Sequence, residues 1–157
     1  MILHLGIQDI PYNRAQSRRS KRSAATITTG DVAEILEARY GVMATFMKRH
    51  EHDVIADMEN SIRGAVENVL VGAPINFELF NAGMQSVEGR FRRFIVEGEV
   101  EHSGIPGLPS QAALRGVNHR YKHPYKRRAS RRSLIDTGLY VGSFKAWVDE
   151  ESFGGAE

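Results

Sequence analysis

At 157 residues, 41% apolar and with a net charge of +2, the chain has the size of one domain with a modest core. No apolar run approaches the ~20 residues that span a bilayer; with no cysteine there is no disulfide framework, thiolate metal site or thiol nucleophile. The charge is unevenly spread: Arg14 to Arg22 holds five Lys and Arg, Arg115 to Arg132 holds eight, and neither stretch contains an acid, whereas Ser23 to Leu114 holds 7 basic against 13 acidic residues.

Along the chain, Leu3, Leu5 and Ile7 alternate with Ile2, His4 and Gly6, which predicts a short strand ended by Pro11. This stretch has no basic leader and does not read as a secretory signal. Residues 12 to 30 are polar, basic and without periodicity, and are expected to order only against a partner. Asp31, with Glu34 three residues on, predicts an N-cap opening a helix. Its apolar stripe runs Val32, Ile35, Leu36, Tyr40, Met43, Phe46 and Met47, and a second continues at Val54, Ile55, Met58, Ile62, Ala65, Val66, Val69 and Leu70. Two antiparallel helices breaking near His50 satisfy this pattern. So does one helix of about 40 residues, some 60 Å long, because Gly41 costs a continuous helix only about 1 kcal/mol.

Gly72-Ala73-Pro74 ends the segment, and residues 74 to 83 read as an aromatic loop with Phe77 and Phe80. A further amphipathic helix carries Met84, Val87, Phe91, Phe94 and Ile95 and fades into the acidic stretch from Glu97 to Glu101. Gly104-Ile105-Pro106-Gly107-Leu108-Pro109 is rigid punctuation. Ser110 then caps a short helix bearing Ala113, Leu114 and Val117 that ends before Pro124. From Asp136, read as an N-cap, Tyr140, Phe144, Trp147 and Val148 fall on one helical face, and helix is the preferred reading. A strand from near Ser143, with Phe144, Ala146 and Val148 facing one way, competes with it. The expectation is a mainly helical α+β domain over residues 1–157 with long or paired amphipathic helices and a small sheet. Residues 12–30 and 118–133 form a flexible basic arm and loop, and 152–157 a frayed tail.

Chemistry-bearing patterns are few. Leu134-Ile135-Asp136-Thr137-Gly138 has the look of an aspartic-protease turn, in which two carboxylates share a proton. Only 19 residues follow Gly138, whereas a single-lobed protease builds most of its sheet after that turn; the triplet is therefore read as an assembly element. His119 and His123 are spaced i, i+4, but no third ligand is near and Arg120 and Lys122 would repel a cation. His50 and His52 flank Glu51 and are read as surface residues. There is no phosphate-binding glycine loop and no nucleophile elbow. The basic residues Arg18, Arg19, Lys21, Arg22, Arg120, Lys122, Lys126, Arg127, Arg128, Arg131 and Arg132 suit contact with phosphates or with an acidic neighbouring subunit, with Tyr121 and Tyr125 able to stack on bases. They match no standard nucleic-acid-binding module.

The segment from Pro109 to Val117, the basic stretch after it, and Ile135-Asp136-Thr137-Gly138-x-Tyr140-x-x-Ser143-Phe144 together resemble the small neck, head–tail joining and tail-completion proteins of tailed bacteriophages. The resemblance covers roughly residues 105 to 150. Members often carry Pro shortly before the Asp, where this chain has Arg131-Arg132-Ser133. The resemblance implies an α+β subunit with a long helix and no catalytic role or cofactor. It implies assembly with copies of itself in a six- or twelve-fold ring, between portal or adaptor and tail proteins, with non-specific contact to packaged DNA and none with a membrane. Such a subunit would assemble in the host cytoplasm and reside in the virion neck or tail. Asp136, Thr137, Gly138, Tyr140, Ser143, Phe144 and Trp147 form the assembly motif. A tail terminator is the alternative within this class, and a non-specific nucleic-acid-binding protein the alternative outside it.

Overall fold

A computed structural model describes residues 2–12, 27–74, 80–117, 129–135 and 138–149. These residues form a mainly helical α+β fold with a two-stranded antiparallel sheet. In chain order the elements are strand β1 (Leu3–Ile7), helices α1 (Thr29–Tyr40), α2 (Val42–Leu70) and α3 (Asn81–Val96), a 3-10 turn (Glu99–His102), the short helices α4 (Gln111–Leu114) and α5 (Leu139–Gly142), and strand β2 (Phe144–Val148). Residues 13–26 of the expected basic arm, 118–128 of the basic loop and the 152–157 tail lie outside the described residues, whereas the ends of arm and loop are not loose as expected: the Tyr12 amide donates to the Ile27 carbonyl (3.0 Å), and Thr29 and Ser133 are buried.

The N-cap of helix α1 lies three residues before the expected Asp31. Thr28 is the N-cap, and Asp31 is the third helical residue of a capping box: its amide donates to Thr28 Oγ1 (3.2 Å) and its carboxylate accepts from the Thr28 amide (2.8 Å). Thr29 is fully buried, donating to the Gln8 carbonyl (2.7 Å) and accepting from the Ile10 amide (2.8 Å). The exit of β1 is thereby fastened to the start of α1.

The long apolar pattern breaks at Gly41, neither near His50 nor nowhere. Gly41 adopts the left-handed conformation (φ 57°), which glycine takes at no steric cost. The Glu37 side chain then reaches across the kink and accepts from the Met43 (2.8 Å) and Ala44 (3.1 Å) amides, which open α2 and have no intrahelical partner. This cap offsets the interruption, and α2 runs on unbroken through His50 for 29 residues, about 44 Å.

Helix α3 lies antiparallel to α2, with its start beside Asp57 to Ser61 and its end beside Phe46 and His50. Gly83, expected in a loop, is in its first turn and buried; a Cβ there would lie 2.8 Å from Met58 Sδ and 3.2 Å from the Asp57 carbonyl. Its absence is what lets the two helices approach. Arg90 spans the pair to Asp57 (2.8 Å) and Asp53 (3.2 Å), and Ser86 donates to Asp57 (2.8 Å).

After Gly138, the preferred helical reading fails. Only Leu139–Gly142 is helical. Ser143 Oγ then turns back to the Leu139 (2.8 Å) and Tyr140 (3.1 Å) carbonyls, and Phe144 to Val148 extends to pair with β1. The register is Leu3 with Val148, His4 with Trp147, Leu5 with Ala146, Gly6 with Lys145 and Ile7 with Phe144. Phe144 and Ala146 face inward, as the competing strand reading expects, and Trp147 faces out. The core is centred on Phe46, Phe91, Phe94, Phe144, Ile95 and Val87, each essentially without exposure.

Glu37→Ala should leave the Met43 and Ala44 amides open and cost about 1–2 kcal/mol. That corresponds to a fall in Tm of roughly 2–8 °C in a thermal melt. Glu34→Ala, at an exposed site in the same helix, should stay within about 0.5 kcal/mol of the parent.

Candidate functional site

The two described flanks of the basic stretch, residues 110–117 and 129–135, meet in one region of the fold. Helix α4 is capped by Ser110, whose Oγ accepts from the Ala113 amide (3.2 Å). It ends in a paired C-terminal closure: Gly116, left-handed at φ 65°, donates to the Ala113 carbonyl (3.1 Å), and Val117 donates to Ala112 (2.9 Å). Where the chain is described again, the Arg131 amide also donates to the Ala113 carbonyl (3.0 Å). The Arg131 guanidinium spans the gap, donating to Ile135 O (2.8 Å) and Val117 O (3.4 Å). Both flanks of residues 118–128 are therefore tied together at their root.

A second anchor lies beside it. Glu101, in the 3-10 turn, accepts from the Ser133 amide (2.6 Å) and pairs with Arg132 (3.1 Å). Ser133 is buried, and its hydroxyl oxygen accepts from the Ser110 amide (3.0 Å). The Arg132 guanidinium packs so closely over left-handed Gly98 that a Cβ there would collide with it. Burial would push the Glu101 carboxyl up, but hydrogen bonds from Ser133 and the Arg132 charge outweigh it and hold the group below the usual glutamate range.

Of the motif residues, Gly138 takes a left-handed conformation (φ 76°) and leads into α5. Tyr140 is buried, and that burial, with the nearby Glu37 charge, raises its phenol well above the ordinary tyrosine range, so the hydroxyl stays protonated. Ser143 and Phe144 are buried, and both Ser143 oxygen contacts are to local carbonyls. Trp147 is 46% exposed on the outer sheet face. Its ring lies over Gly6, where a Cβ would sit 2.8 Å from it, and stacks on His4 (5.5 Å, 12°), which pairs with Asp149 (2.8 Å). Asp136 and Thr137 lie outside the described residues, as do Arg18, Arg19, Lys21, Arg22, Arg120, Lys122, Lys126, Arg127 and Arg128, and His119 and His123.

Several contributors were not legible in the sequence. His50, read as a surface residue, is largely buried against Phe46 (5.1 Å) and Phe94 (5.7 Å). Its Nε2 lies 3.2 Å from Glu99, in ion-pair range but off hydrogen-bond alignment, and Arg49 pairs with the same carboxylate. Glu88 is buried too, accepting from the Ala146 amide (3.3 Å) beside Lys145 and Arg92. Its spacing gives no signal that it closes the outer edge of β2. Among the described residues no group of three His, Asp or Glu side chains is placed to hold a metal ion, and no helix is long and apolar enough to cross a membrane. Comparison with protein-family models, with curated proteins and with solved structures finds no match.

Because the folded state holds Glu101 below its ordinary pKa, its contribution to stability is complete above the usual glutamate range. It is lost as pH falls through the lowered folded value. Thermal melts across the acid range should show the parent losing stability there, and Glu101→Gln should be less stable at neutral pH and show a shallower acid dependence. An unchanged slope would mean that Glu101 does not carry this anchor.

Proposed function

We propose that the chain is a structural virion protein of a tailed bacteriophage, a ring-forming subunit at the head–tail interface of the neck, connector or tail-completion type. The observation that carries the reading is the continuous pattern from Pro109 to Phe144: a capped short helix, a basic stretch, then Asp-Thr-Gly followed by Tyr140, Ser143 and Phe144. The roles of its described residues support it. Tyr140, Ser143 and Phe144 build the core or satisfy local carbonyls, and Arg131, Ser133 and Glu101 hold the root of the basic stretch. Residues that hold a scaffold in this way suit an assembly motif better than a reacting one. Basic segments set apart from an acidic middle suit head-to-tail contacts between subunits, which close into a ring when the rotation closes.

The basic stretches favour a second reading, a non-specific nucleic-acid-binding protein. Sedimentation of the purified protein with and without duplex DNA separates the two. A ring subunit remains small alone and enters rings when mixed with portal and tail proteins. A nucleic-acid-binding protein shifts with DNA and ignores those partners.

Lys122, Lys126, Arg127 and Arg128 changed together to Ala should lower ring incorporation while leaving the melting temperature unchanged. Arg131 and Arg132 are left in place because their guanidiniums hold Ile135, Val117 and Glu101. Any DNA binding by the parent should fall steeply with salt and be indifferent to sequence, as counterion release requires. Salt-resistant preference for one of two unrelated duplexes would contradict this.

A further inference from the structure

We infer that the free apolar stripe on the C-terminal half of α2 is a contact surface for a second copy of this chain. Helix α3 begins beside Asp57 to Ser61, so the last turns of α2 extend past it. At 100° per residue, Ile55, Ile62, Val66, Val69 and Leu70 share an arc of about 100° that adjoins buried Met58 at the Val69 edge and turns away from the core side of Phe46 and Val54 toward Leu70. Their exposures run from 37% for Val69 to 80% for Leu70. The same side of α2 upstream carries Ala44, Lys48, Glu51 and His52. The apolar stripe therefore starts at Ile55 and runs to the protruding end.

Its size indicates what it can do. A fully exposed aliphatic side chain presents roughly 120 Å² of apolar area, so these five at their observed exposures leave about 300 Å² free. Ordinary interfaces are about 57% apolar, which scales this to roughly 500 Å² per partner and about 1,000 Å² in all, the lower bound for a specific contact. A helix that covers the stripe must offer aliphatic side chains at the same i, i+4, i+7 spacing. Among the described residues the other exposed aliphatics are Val71, which extends the stripe at the helix C-cap, and Ile2, Ile27, Ile35, Val96 and Leu114, which stand singly on separate segments. The stripe's own match is thus the stripe of another copy, brought to it by a two-fold axis. Glu59 falls within the arc and Arg63 at its edge, so the face carries one charge of each sign and two copies meet without strong like-charge repulsion. With so little area the pairing is weak, and it leaves Trp147 and the root of the basic stretch uncovered. It does not rest on the proposed virion role.

Sedimentation velocity of the intact chain from about 5 to about 500 µM tests it. The parent should move from monomer toward dimer across that range. Val66→Asp should stay monomeric, with a dissociation constant at least tenfold higher, and Leu70→Asp, at the most exposed of the five, should behave alike. Ile35→Asp, the same change at an exposed but solitary residue, should dimerise as the parent does. A parent that stays monomeric throughout, whether the stripe takes another part of its own chain or a different protein, overturns the inference. So does a dimer that survives both stripe variants, or one that Ile35→Asp weakens equally.

Discussion

Phe144 stacked on Phe91, with ring centroids 3.8 Å apart and 13° from parallel, is the contact on which the rest of the fold depends. Phe46 meets Phe91 edge-on (5.2 Å, 88°) and Phe144 at 6.4 Å, so one cluster joins α2, α3 and β2. Aromatic pairs of this kind contribute about 0.5–1.5 kcal/mol beyond the area they bury. Phe144 also stands opposite Ile7 in the sheet, so seating it fixes the register of β1. A slip of one residue would turn Lys145 and Trp147 toward the core. Two segments nearly the whole chain apart are held together by a side chain that belongs to neither long helix.

Around that cluster, three carboxylates close backbone ends that the helices and sheet leave open. Glu37 caps α2, Glu88 meets the Ala146 amide on the outer edge of β2, and Glu101 receives the Ser133 amide. Buried or half-buried amides need such acceptors, and a charged acceptor makes the stronger bond. The acidic character of the middle of the chain is therefore partly an internal resource. The same holds at the other sign for Arg131 and Arg132, which bond within the fold. The residues between them and Val117 remain the ones suited to an external partner.

The parts of the fold legible in the sequence were those set by local pattern. Leu3, Leu5 and Ile7 alternate as a strand, Met84 to Ile95 repeats as a helix, and Ser110 is a cap by its own chemistry. The parts that were not depend on distant partners. Gly41 alone does not decide between a kink and a continuous helix; the Glu37 side chain, closing on Met43 and Ala44, does. Helix and strand both fit the residues after Ser143, and pairing with residues 3–7 selects strand. His50 reads as solvent-exposed until α3 brings Phe94 against it. At the candidate site, the sequence pointed to Tyr140 and Phe144 but not to Glu101 or Ser133, whose roles arise from meeting across 32 residues.

The proposed role as an assembling subunit draws on residues that hold the core, a basic stretch with a fastened root and a helix with an uncovered end. The most direct measurement of that claim is the copy number of this chain in purified phage particles, by quantitative mass spectrometry against the portal protein. The account predicts six or twelve copies per particle, retained through gradient purification and lost from particles blocked before head and tail join. Absence from intact particles, or a copy number that follows the length of packaged DNA instead of a fixed ring, would contradict it.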